Sequence, residues 1–254
     1  MENQYQSIGS RYAEARRDPV TLFLEMPSVK SALGDVRGKN AIDFACGTGY
    51  YSRLLKILGA KTVVGVDLSP AMIEVAQLEE NTNPLGIEYT VGDAAEPQIF
   101  GSFDVATAVF LFNYADDRHT LERMFSNVAA NLISGGKLVS VVPNPDFVNG
   151  LQDTLRYDFY LEELERRPSN LRVRMHFLAP EKFSIEFTQW NRLCYETATK
   201  RCGFEEISWI PFSVSAEGIR NYGNDYWAAL IKNPKSIILC ARKIKGLVSP
   251  TKVA

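Results

Sequence analysis

The sequence is poor in the residues that build metal centres and disulfide frameworks. Its 254 residues include four cysteines and two histidines. Cys46, Cys194, Cys202 and Cys240 stand at spacings that match no zinc pattern, and His119 and His176 add no cluster, so no metal is expected. Scattered thiols of this kind fit a reducing compartment. Long apolar runs are missing too. The longest, Val105 to Phe112, falls far short of the roughly 20 residues that a spanning helix needs. The opening MENQYQSIGSRYAEARRD is polar and lacks the apolar stretch of a secretory signal. The expectation is a soluble, cytoplasmic protein.

An excess of one charge is also lacking. The 28 basic and 30 acidic side chains, net -2, are mixed along the chain rather than blocked. A protein that grips nucleic acid usually carries a basic stripe that displaces counterions. Neither a nucleic-acid nor a membrane partner is expected, and no repeat or low-complexity tract suggests a scaffold. What is present is ordinary for a globular enzyme: 46% hydrophobic and 23% charged residues, enough for a substantial core.

From residue 39 the chain acquires a rhythm of short apolar runs and amphipathic segments. Strands are predicted at 40–45, 62–67, 87–93, 103–110 and 137–143, then at 204–211 and 236–243. Gly59 stands where a helix C-cap glycine would. Ser69-Pro70 reads as an N-cap followed by proline at the first helical position. A further helix is predicted from the DDRHTLER segment to Gly135-Gly136. Such alternation argues for an α/β fold. We expect a doubly wound, seven-stranded, mostly parallel sheet with an antiparallel last strand. Residues 1–38 read as an N-terminal helical cap, 39–145 as the core, 146–189 as a substrate-side insertion, 190–245 as completion of the sheet, and 246–254 as a polar tail. Within the insertion, 151–167 looks helical, while 171–177 and 184–189 alternate and would pair as an antiparallel flap.

The chemistry is concentrated in AIDFACGTGYYS, residues 41–52. A buried strand delivers Asp43, and a tight turn passes through Ala45, Gly47 and Gly49 into a helix. Glycine lets a ligand pack against bare backbone, and the helix start presents free N–H groups. A dinucleotide site uses the same geometry, but it wants a third glycine where Ser52 stands. A second acidic element, Asp93-Ala94, ends the third strand.

Together these features resemble the class I, Rossmann-like S-adenosylmethionine-dependent methyltransferases, whose core motif is an acid, a small residue, then GxG. The likeness covers residues 39–145 and, more loosely, the later helix and strands. It implies S-adenosylmethionine as cofactor, with Gly47 and Gly49 against its methionine part and Asp43 organising the loop. Asp67 would hold the ribose hydroxyls. Leu68 and Met72 would pack on the adenine, Asp93 would receive its amino group, and Ala94 would donate a backbone N–H to the ring. Phe110 would lie beside the sulfonium, with Tyr12 and Tyr114 completing the set. Ala45 departs from the glycine many members carry there. LFNYAD (111–116) lacks the two prolines of the DNA amino-methyltransferases. ACGTGYYS with LFNYAD looks like bacterial small-molecule enzymes of secondary metabolism, and is similar to the toxoflavin (azapteridine) N-methyltransferases.

The sequence shows no catalytic dyad. Methyl transfer by in-line displacement needs chiefly a nucleophile held near the activated carbon with water excluded, so none is required. His176 is the candidate for a proton acceptor. Tyr5, Tyr157, Tyr160, Arg174, His176 and Trp190 are the candidates for substrate contact. The aromatics outside the core favour a planar or heterocyclic acceptor, methylated on nitrogen or oxygen. For each, packing or solvation is the competing explanation. At the level of function, a nicotinamide-dependent oxidoreductase, an aminopropyl transferase and a non-catalytic S-adenosylmethionine-binding protein remain alternatives. A monomer or homodimer is expected, the segment VTLFLEM (20–26) serving either as an interface or as core packing.

Overall fold

The structure, a computed structural model, describes residues 18–148, 154–178 and 182–246. Strands β1 (Asn40–Phe44), β2 (Thr62–Asp67), β3 (Ile87–Val91), β4 (Phe103–Val109) and β5 (Leu132–Pro143) pair in parallel. A separate antiparallel sheet follows, made of β6 (Phe159–Arg167), β7 (Asn170–Phe177) and β8 (Phe183–Trp190). The chain then returns to the main sheet with β9 (Phe204–Ile210) and β10 (Ser236–Lys243), and β10 runs antiparallel between β5 and β9. The main sheet has the order β3-β2-β1-β4-β5-β10-β9. Its order reverses between β1 and β4, which opens a crevice at their carboxyl ends where ligands bind in sheets of this kind.

The period of two along each strand divides the core. Ile42 and Phe44 of β1 join a cluster with Phe112, Phe125, Leu138 and Tyr195, whereas Ala41 joins Leu33, Leu55, Val105 and Ile238 on the other face. Helices cover both faces, which is why the central strands read as near-continuous apolar runs. Helix α1 (Met26–Leu33) and α2 (Tyr50–Ile57) lie on one side. Helix α3 (Pro70–Thr82) starts as its sequence predicts, with Ser69 Oγ accepting from Met72 N and Pro70 in the first turn. Helices α4 (Arg118–Asn131) and α5 (Arg192–Arg201) cover the opposite side and are capped by Asp117 and Asn191. Two further helices, α6 (Ala216–Tyr222) and α7 (Asn224–Lys232), sit beside the small sheet. Among the described residues no helix is long and apolar enough to cross a membrane.

Two expectations are corrected, and one feature that the sequence leaves open is decided. Residues 159–167 form a strand, not part of a helix. The FYLEELERR segment is rich in helix formers, but pairing with β7 sets Glu162 opposite Arg174 and Leu161 opposite Met175. These cross-strand partners override local propensity. Helix α4 ends at Asn131, short of Gly135-Gly136, because the Asn131 side chain is tied to the β3–β4 loop. Its Nδ2 donates to Gln98 O at 2.8 Å and its Oδ1 accepts from Phe100 N at 2.7 Å. Strand β5 then begins at once and absorbs the glycines where its register with β4 shifts. Of the two roles open to VTLFLEM, the structure shows core packing: Val20 and Leu24 are buried in a cluster with Tyr157, Met175 and Trp227.

Candidate functional site

The crevice is built by one buried and one half-buried carboxylate and a strained pair of turns. Asp43, on β1, is 1% exposed. One of its oxygens accepts from Ser52 Oγ and the other from Thr107 Oγ1, each at 2.7 Å. The acid thus ties β1 to α2 and β4 and sets the direction in which the chain leaves the strand. Ala45 and Phe110, just beyond the ends of the adjacent strands β1 and β4, both hold left-handed backbone, with φ of 55° and 56°. Non-glycine residues in that region are costly and collect at functional sites. The first makes physical sense of a position where glycine is the easier choice.

The two motif glycines have different reasons to be glycine. At Gly47 (φ +55°) a side chain would meet nothing within 4 Å, so bare backbone faces open space. At Gly49 (φ +86°) a Cβ would stand 2.3 Å from the Tyr89 hydroxyl, so this glycine is packed from beneath by the protein itself. Asp67, at the tip of β2, reaches across to the same turn. Its Oδ2 accepts from Gly47 N at 2.8 Å and its Oδ1 from Ser69 N at 2.9 Å. Burial pushes the Asp67 carboxyl up, against the pull of these two backbone donors.

Burial also raises Asp43, to about 6, although its two hydroxyl donors oppose the shift. The folded chain therefore favours the protonated acid. That stabilisation is complete below the ordinary value of 3.8 and is lost as pH rises through about 6. Asp43→Asn keeps the shape and cannot ionise. Its stability should vary less than the wild type's between pH 4 and 7, by on the order of 3 kcal/mol at most. Urea unfolding midpoints at the two pH values check this, and parallel changes in both proteins would show that Asp43 titrates normally.

The other residues singled out in the core fall into place unevenly. Asp93 Oδ1 accepts from Ala95 N at 2.8 Å, closing the turn after β3 that carries Ala94. Leu68 is exposed beside Asp67, an apolar side chain offered to solvent. Met72, expected to pack on the adenine, is 1% exposed on α3. Tyr5 and Tyr12 lie outside the described residues.

A second cavity wall comes from the small sheet. Phe110, Asn113 and Tyr114 after β4, with Pro143 and Ser236 at the ends of β5 and β10, face Leu161, Met175, Ile185 and Phe187 of the flap. The space between these walls opens to solvent. Alternation along the strands decides which side chains reach it. Met175 and Phe177 do, and Arg174 and His176 therefore point the other way. On that outer face Arg174 pairs with Glu186 at 2.6 Å and Glu162 at 3.3 Å, and His176 Nε2 lies 2.9 Å from Glu162. Tyr160 stacks on the His176 ring, with centroids 4.4 Å apart. This parity sets Tyr160, Arg174 and His176, all expected to meet a substrate, on the face turned away from the cavity. Tyr157 is also withdrawn, because it is buried against Tyr226 and its hydroxyl donates to the Tyr226 carbonyl. Trp190 is 1% exposed and belongs to the main core.

Sequence reasoning missed Ser52 and Thr107, the partners of Asp43, and also Asn113 and Gln189, which line the cavity. Gln189 was findable, since it shares a face with Ile185 and Phe187 at a spacing of two. The hydroxyl partners had no signal, because pairing across strands is set by tertiary register.

Residues 42–140 match the family described as a methyltransferase domain. Among curated relatives, a ubiquinone biosynthesis O-methyltransferase of Coxiella burnetii is 30% identical over 159 residues, which are 61% of this chain and 62% of that protein. The chain thus spans about three fifths of the length of that relative. Among solved structures, an S-adenosylmethionine-dependent methyltransferase from Mesorhizobium loti superposes with a TM-score of 0.62 at 20% identity, covering 90% of this chain and all of that one. An amino pentose methyltransferase from Micromonospora echinaspora, solved with S-adenosylmethionine bound, gives 0.57 at 18% identity over 96% and 99% of the two chains. These structural likenesses are likenesses of fold.

Proposed function

We propose that this chain is a class I S-adenosylmethionine-dependent methyltransferase, a reading supported by the match of residues 42–140 to a methyltransferase domain, and that it methylates a small planar or heterocyclic acceptor on nitrogen or oxygen. The observation that carries the acceptor class is the apolar cavity between the carboxyl ends of β4 and β5 and the inner face of the flap. The balanced charge of the chain supports a small acceptor over a nucleic acid. In this reading residues 39–145 hold the cofactor and residues 146–189 cover the acceptor.

The crevice fits that cofactor. Gly47 leaves backbone open where a ligand would approach, and each Asp67 oxygen, already accepting one backbone N–H, keeps a lone pair for a ribose hydroxyl. Gly47 and Gly49 would lie along the methionine part, Asp93 and Ala94 with Leu68 at the adenine, and Phe110 and Tyr114 between cofactor and acceptor. When bound, S-adenosylmethionine supplies a methyl carbon already activated by a sulfonium. The chain's own task is then positional. Asp43 and Asp67 hold the turn, and the flap's apolar face excludes water, so proximity and desolvation supply much of the rate.

Calorimetric titration with S-adenosylhomocysteine, beside NAD and NADP, tests the reading. Micromolar binding of the nucleoside alone is the expected result. Binding of a dinucleotide alone would transfer the chain to the oxidoreductases, and tight nucleoside binding without turnover on any acceptor would leave a binding protein.

A further inference from the structure

The glycine turn is supported from the side opposite its open face. Tyr89, on the edge strand β3, stands directly opposite Gly65 of β2 in the register of the sheet. A Cβ on Gly65 would lie 2.6 Å from the Cδ1 carbon of the Tyr89 ring, and one on Gly49 would lie 2.3 Å from its hydroxyl. Interior atoms pack to van der Waals contact and no closer, so glycine at both positions is what makes room for the tyrosine. The ring therefore fills the space from β2 to the start of α2, whose N-cap is Gly49. The turn itself is closed by Gly49 N, which donates to Cys46 O at 2.9 Å. Tyr89 is half-buried, but its hydroxyl oxygen is closed to solvent and has no hydrogen-bond partner among the described residues. A buried hydroxyl without a partner lowers stability, and a phenylalanine ring would avoid that penalty. What the hydroxyl adds is its contact with Gly49.

We infer that Tyr89 is a positioning residue for the cofactor: its ring and hydroxyl, wedged between Gly65 and Gly49, fix the height at which the backbone of the Cys46–Gly49 turn meets a ligand. The inference rests on the reading of this turn as the S-adenosylmethionine site. The hydroxyl is out of reach of any ligand, so Tyr89 acts only through the turn. A turn already held in its bound shape loses less freedom on binding, which raises affinity without a new contact. The unpaired hydroxyl is the local penalty that accompanies a fixed site.

Calorimetric titration of S-adenosylhomocysteine into the full chain tests this, at a temperature where circular dichroism shows every variant folded. Tyr89→Phe removes the hydroxyl alone. It should weaken binding about threefold yet melt no lower than wild type, because an unpaired buried group is gone. Tyr89→Val removes every tyrosine atom that meets the two glycines and keeps a β-branched residue in the strand. Binding should then weaken about tenfold or more. Tyr195→Phe, the same change made in the main core, should leave the affinity at the wild-type value. A residue that only stabilises the fold would lower the melting temperature and leave the affinity of the folded protein unchanged. A double-mutant cycle reads the wedge on the protein alone. Gly65→Ala should lower the melting temperature of wild type, and lower that of Tyr89→Val by roughly half as much or less. Wild-type affinity in both Tyr89 variants, an equal loss in Tyr195→Phe, or additive effects in the cycle would overturn the inference. Failure of the cofactor reading shows separately, as no S-adenosylhomocysteine binding by wild type, and takes this inference with it.

Discussion

Trp190→Ala should destabilise the fold by about 3–5 kcal/mol, the range for removing a fully buried tryptophan. The residue ends β8 and is 1% exposed in the main core with Phe112, Cys194 and Tyr195. It therefore joins the flap to the sheet and has no surface for a ligand. Among the described residues its Nε1 has no hydrogen-bond partner, so Trp190→Phe removes volume without breaking a bond and should cost less than half as much. Urea unfolding followed by far-ultraviolet circular dichroism measures both. A Trp190→Ala protein that unfolds at the wild-type midpoint but fails to bind acceptor would restore Trp190 to the substrate site. The expected pattern is the reverse: a large fall in midpoint, and any loss of binding explained by the unfolded fraction.

The second large effect separates the two motif glycines. Gly47→Val should leave a folded protein, because the new side chain meets no protein atom within 4 Å. The left-handed backbone adds a cost of roughly 1–2 kcal/mol. In the proposed reading, the branched group stands where the cofactor meets backbone, so affinity for S-adenosylhomocysteine should fall at least about 100-fold, near 2.8 kcal/mol. Gly49→Ala should act through the fold instead, since its Cβ would stand 2.3 Å from the Tyr89 hydroxyl and 2.8 Å from the ring carbon bearing it. Melting curves and calorimetry on the two variants should separate, with Gly47→Val losing ligand and keeping structure, and Gly49→Ala losing structure first. Undiminished binding by Gly47→Val would place the ligand elsewhere.

The sequence by itself determined the order of strands and helices in the main sheet, the glycine turn and the acids at the strand ends. Each of these is written in near neighbours. Strand periodicity, an N-cap before proline and glycine at a left-handed turn are decided within a few residues, so Ser69-Pro70 and Gly47 could be read directly. The tertiary structure decided what depends on partners distant in the chain. Residues 159–167, rich in helix formers, became a strand because β7 offered matching charges and apolar neighbours. That pairing then fixed the parity of the whole flap. It turned Arg174 outward into ion pairs with Glu162 and Glu186, His176 outward to within 2.9 Å of Glu162, and Met175 and Phe177 inward over the cavity. Burial was likewise beyond the sequence. Nothing local distinguishes an aromatic side chain that stacks on a ligand from one, like Trp190, that closes a core, because only the packing of three layers decides which faces remain open.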